Sequence, residues 1–171
     1  MVRSGRKFAY YNNLPASQRR IYDRSDAIEH VRLPQPEHFS SITDDLRSSL
    51  EGDDLAQTKQ SAEHLIRDLC QAFCVPPMKV RVLSRRPTRN RVEMHGLYEA
   101  GKGKATVLTV WMRTAKRKQT VAFRTFLRTI VHEFIHHLDF TYFNLRNSFH
   151  TEGFFKRESS LVKQLLNDQR R

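Results

Sequence analysis

TVAFRTFLRTIVHEFIHHLDF, residues 120–140, is the stretch that decides the fold. Phe123, Phe126, Leu127, Ile130, Val131, Phe134, Ile135 and Leu138 recur at spacings of three and four. That is the period of a helix laying one apolar stripe on a core. From Thr120 the pattern holds for more than about five turns. Inside it stands His132-Glu133-Phe134-Ile135-His136. Residues four apart share a helix face, so His132 and His136 can present their imidazoles to one metal ion. Glu133 stands beside them as a candidate general base. His137 points off that face and reads as a packing or surface residue. Asp139 shares it, either to accept the second N–H of a ligand imidazole or as an ordinary helix-end carboxylate.

Two protein ligands are too few for a catalytic zinc, which takes three and keeps a position open. Moving outward, the polar loop NLRNS at 144–148 lets the chain double back, and His150 follows it at the start of a last helix. His150 is therefore the leading third ligand, with Glu152 and Glu158 as alternatives. The last helix takes Thr151 as its N-cap and carries Phe154, Phe155, Leu161, Val162, Leu165 and Leu166. Tyr98 and Tyr142 are candidate oxyanion donors.

Upstream of the long helix the period changes. MKVRVL at 78–83 alternates in period two, and MHGLY and TVLTVWM flank EAGKGKA, whose glycines suit a hairpin. These strands predict a small, mostly antiparallel sheet, with 106–112 as the edge strand that would pair with an extended peptide. Further upstream the chain reads as helices. One opens at Pro15 or Ser17 and runs through Ile21, Ala27 and Ile28 to Val31, before Pro34 and Pro36. A second is capped by Ser40 or Ser41 and stopped by Gly52. A third starts at Asp53 or Asp54 and ends before Pro76 and Pro77. Cys70 and Cys74 sit on the third as core or near-core residues. The class is α+β, with a helical region over 1–77 and the metal-binding part over 78–171, expected to form one unit.

Composition narrows the function classes. The chain has 171 residues and a net charge of +12, with hydrophobic residues at 39%. That is enough to bury a core without staples. No stretch approaches a membrane span, and the first residues lack the apolar run of a secretory signal, so no membrane association is expected. Two cysteines make no disulfide framework, and a cytoplasmic location is expected, with nucleoid or nuclear association where nucleic acid is the partner. The charge is uneven: residues 79–128 hold fourteen basic and two acidic side chains. Arg85, Arg86, Arg89, Arg91, Lys102, Lys104, Lys116, Arg117 and Lys118 are the candidates for an anionic partner such as nucleic acid, against the plainer reading of a solvated face.

The HEFIH run at 132–136, the gap to His150 and the following HTEGFF resemble the SprT-like zinc metalloproteases, the family that includes the Spartan DNA–protein crosslink proteases. The resemblance covers roughly residues 79–166. It implies a zincin-like fold, a Zn2+ held by His132, His136 and His150, Glu133 as general base, and a protein or peptide substrate, with DNA-associated proteins as one such class. Thr151 stands directly after the third histidine, where the family often has Gly, and Gly153 comes two places later.

Overall fold

Five residues in a row, Leu108 to Met112, four of them apolar and one Thr109, are buried in the longest strand, and a strand buried on both faces belongs in the middle of a sheet. The computed structural model, which describes residues 7–89, 92–93, 95–101, 103–115 and 119–167, places it there. Strand β1 (Lys79–Arg85) runs parallel to β5 (Lys104–Arg113), and β4 (Gly96–Gly101) runs antiparallel to it, in the order β1-β5-β4. A separate two-residue pair joins β2 (Thr88–Arg89) to β3 (Val92–Glu93). The main sheet is thus mixed, not mostly antiparallel. The expected hairpin forms, but β5 inserts between β1 and β4, which precede it in the chain. A second correction follows: residues 106–112 lie in the central strand, and the edges belong to β1 and β4. β4 contains two glycines and an exposed Glu99, a composition suited to an edge.

Five α-helices accompany this sheet among the described residues. They are α1 (Ala16–Asp26), α2 (Phe39–Glu51), α3 (Leu55–Ala72), α4 (Phe123–Thr141) and α5 (Glu152–Leu165). Of these, α3 and α4 pack on the strands of the sheet. α3 starts where its cap predicts, with the Asp54 carboxylate accepting from the Gln57 N–H at 3.0 Å. α2 begins at Phe39, fed by a 3-10 turn at Pro36–His38, and neither Ser40 nor Ser41 caps it. α1 stops at Asp26, short of the expected Val31. Val31 and Leu33 are two apart, which is an extended period, and both are buried. The Gln164 side chain pairs with that segment as a strand would: its Oε1 accepts from Leu33 N–H and its Nε2 donates to the Val31 carbonyl, both at 2.8 Å.

One buried cluster takes side chains from Val31 through Leu165. Val80, Val82, Leu108, Val110 and Met112 supply the sheet's inner face, and the α4 stripe from Phe123 to Leu138 packs within the same cluster. The helices before residue 78 share this core through Phe39, Leu46, Leu65 and Leu69. α4 lies against β4, β5 and α5, so His132, Glu133 and His136 face the gap bounded by the edge strand β4 and α5. None of the described helices is long and apolar enough to cross a membrane.

Candidate metal centre

His132 and His136 stand one turn apart on α4, and the chain returns to them through a tight connection. Asn144 takes a left-handed φ of 52°, Leu145 N–H bonds back to the Asp139 carbonyl at 2.8 Å, and Leu145 is buried. Thr151 then caps α5, its hydroxyl accepting from Phe154 N–H at 2.9 Å. These turns set His150 opposite the two helix-borne histidines. Its Nε2 lies 3.0 Å from His132 Nε2 and 3.1 Å from His136 Nε2. The three histidines lie close enough together to hold a metal ion.

The opposite ring nitrogens explain why the Nε2 atoms of the two helix-borne histidines face inward as acceptors. The Nδ1–H of His132 donates to Glu158 Oε2 at 2.8 Å. The Nδ1–H of His136 donates to the Ser148 hydroxyl at 2.6 Å, and that hydroxyl donates to Asp139 Oδ2 at 2.7 Å. Each bond fixes a tautomer whose bare Nε2 lone pair points at the centre. Burial, aided by the positive charges of His132, His150 and Arg157, pushes the His136 imidazolium down to about 3. Burial and His132 lower His150 as well, against the Glu158 carboxylate. Neutral imidazoles aimed at one another repel unless a cation sits among them. A tetrahedral zinc at 2.0–2.1 Å from each nitrogen would space them by about 3.3 Å, a few tenths wider than found. The donor set fits a divalent ion of the zinc type.

Glu133 lines the same cavity, of about 800 Å³, and is 6% exposed. Burial lifts its carboxyl to about 7, His132 opposing and Glu158 adding to the shift. The edge strand reaches it only because position 96 is glycine: a Cβ there would lie 2.4 Å from Glu133 Oε1 and 2.9 Å from Thr129 Cγ2. Phe140, Phe155 and Tyr98 give the cavity apolar walls.

The other candidates fall out differently. Glu158, one of the alternative third ligands, holds His132 from behind and takes a second bond from Arg128 at 2.6 Å. Glu152, the other, pairs with Lys156 at 2.9 Å, outside the histidine cluster. Asp139 is fully buried and reaches His136 only through Ser148, so it is not a helix-end carboxylate in solvent. Tyr98 lines the cavity, but its hydroxyl donates to His137 Nδ1 at 3.1 Å, and burial pushes it up to about 12. Tyr142 packs on Phe73 and Phe143 and does not line this cavity. His137 is 1% exposed, with Nε2–H donating to the Pro76 carbonyl at 2.8 Å. Of the basic candidates, Arg85 and Lys104 are exposed. Arg86 is 5% exposed and not a surface cation, and its backbone N–H continues the β1–β5 pairing to the Arg113 carbonyl. Arg91, Lys102, Lys116, Arg117 and Lys118, with the side chain of Arg89, lie outside the described residues.

Sequence reasoning missed Ser148, Arg157 and the supporting role of Glu158. A signal was present for the last two. Both lie within the apolar stripe of α5, between Phe154 and Leu161, where a charge requires a partner. No protein-family model matches the chain, and no curated protein or solved structure is significantly similar to it.

Proposed function

We propose that the chain is a zinc-dependent endopeptidase. The observation that carries this reading is the convergence of three His Nε2 atoms with a buried glutamate in one cavity beside an open strand edge. A structural zinc closes its shell with a fourth protein ligand and needs no base; His132, His136 and His150 are the three ligands here, and Glu133 is the spare carboxylate. A bound zinc supplies Lewis acidity, polarising the scissile carbonyl and acidifying water. Glu133 would take a proton from the attacking water and deliver it to the leaving amine. A carboxyl that titrates near neutrality suits both transfers. β4 offers backbone groups for strand pairing, so an extended polypeptide can lie along it with its scissile bond over the histidines. The resemblance to the SprT-like metalloproteases supports the same reading.

Glu133→Gln tests it. The variant should bind zinc as the wild type does and lose cleavage of an unfolded basic protein by at least about 1,000-fold, a loss that general-base removal accounts for. Undiminished cleavage by the variant ends the assignment.

A nucleic-acid-associated substrate is favoured by one further observation. Lys79, Arg81 and Arg85 are exposed on one face of β1, two or four residues apart, at the opposite sheet edge from the cavity. Cations on alternate strand positions repeat at about 6.6 Å, a spacing compatible with successive phosphates. Cleavage of a DNA-binding protein measured with and without DNA tests this part. Equal rates in both arms remove DNA from the account.

A further inference from the structure

A fully buried ion pair is costly to assemble and does not by itself stabilise a fold. Arg157 and Asp139 form one, at 2.9 Å with both side chains at 0% exposure. Their remaining partners point two ways. Asp139 accepts from Ser148, which holds the Nδ1–H of His136. Arg157 Nη1 donates to the Ser25 carbonyl at 2.6 Å and the Ile28 carbonyl at 2.5 Å, and Nη2 to Ser25 Oγ at 3.1 Å. The carbonyls closing a helix such as α1 have no partner within the helix itself and need donors from elsewhere. An unbroken polar chain thus runs from the end of α1 through Arg157, Asp139 and Ser148 to a metal-facing imidazole.

Two other contacts join the same segment to the same site. Gly153 N–H, at the start of α5, donates to Asp26 Oδ1 at 3.0 Å, and a Cβ on Gly153 would lie 2.3 Å from the Asp26 carbonyl oxygen. The Tyr10 hydroxyl donates to the carbonyl of His150 at 3.1 Å. Residues 8–28 therefore reach two of the three histidines, one through its ring partner and one through its backbone.

We infer that the N-terminal segment, residues 8–28, is a positioning element of the metal centre, with Ser148 as the joint. Docking of this segment and metal binding are then coupled equilibria, and the coupling is reciprocal: each strengthens the other by the same factor. The inference rests on the histidine site binding a metal and is independent of what the protein cleaves.

The test is zinc affinity by chelator competition, with Co2+ absorption as a spectroscopic readout and hydrogen exchange at residues 16–28. Ser148→Ala should lose about 10- to 100-fold in affinity, as removal of a ligand's hydrogen-bond partner does. It should also alter the Co2+ bands, a change that lower metal-free stability alone does not produce. Tyr10→Phe should lose a few-fold. Ser160→Ala, the same replacement placed on α5 away from the histidines, should match the wild type. Zinc should slow exchange at residues 16–28 in the wild type and do so less in Ser148→Ala. A wild type that takes up zinc while Ser148→Ala matches it in affinity and Co2+ bands overturns the coupling alone, and so does zinc that leaves exchange at 16–28 unchanged. A wild type that takes up no zinc overturns the metal centre and the coupling together.

Discussion

At Glu133 the proposed catalysis and the stability of the fold pull in opposite directions. In the folded chain its carboxyl holds a proton up to about 7, against an ordinary value of 4.5. Between those values the unfolded chain binds fewer protons than the folded one, so stability falls as pH rises through that window. Below 4.5 both states are protonated and stability no longer depends on this group. Glu133→Gln should therefore stabilise the metal-free protein at pH 8, by about 3 kcal/mol, and leave it unchanged at about pH 4. Urea unfolding in EDTA at both pH values checks the sign. Gly96→Ala presses on the same carboxylate and on the Thr129 methyl. It should cut turnover at least tenfold with zinc content intact, read by metal analysis beside a cleavage assay. The HExxH residues were legible because the helical period alone puts His132 and His136 on one face. Ser148 was not, because a serine in a polar loop carries no pattern that distinguishes a ring-holding hydroxyl from a solvated one.

Among the elements, those with a local signal came through. α3 and α5 begin at the capping side chains their sequences announce, Asp54 and Thr151. Removing either cap should cost about 1 kcal/mol. For a chain of this size that is a drop of roughly 2–4 °C in melting temperature. Asp54→Ala should show that drop and keep wild-type zinc affinity, because its cap lies away from the histidines. Calorimetry with and without zinc measures both. Strand order was not legible from local pattern. Period two identified the three strands of the main sheet and the β4–β5 hairpin but not the short β2–β3 pair, and the place of β1 depends on which strand can be buried on both faces, a tertiary matter. The early end of α1 has the same origin, since the long-range pairing of Gln164 with Val31 and Leu33 overrides the helical spacing of Ala27, Ile28 and Val31.

Across the whole molecule, the excess charge lies in residues 79–128, and its described part includes the exposed cations of β1. Replacing Lys79, Arg81 and Arg85 together with Ala should weaken DNA binding at low salt. It should also flatten the plot of log affinity against log salt by up to about three, roughly one unit for each phosphate that is no longer neutralised. Fluorescence anisotropy across a salt series reads both, while cleavage of a DNA-free peptide should be unaffected. Metal removal acts on the fold as a whole. Zinc at about 1,000 times its dissociation constant adds roughly 4 kcal/mol, so EDTA should lower the melting temperature by roughly 8–16 °C, and His150→Ala should abolish that difference. The single core joining residues 31–165 explains why the helical first third is not separable by inspection of the sequence. Its apolar stripes show that it packs, but not on what.

Three imidazole nitrogens, with no thiolate or carboxylate in the cluster among the described residues, make a donor set that ranks divalent ions in the Irving–Williams order, with copper above zinc. Nothing in so small and open a ring of ligands sorts ions by size. The occupant is therefore set by supply: a cell that buffers copper tightly delivers zinc, and a growth medium rich in copper should yield a folded protein loaded with copper in its place.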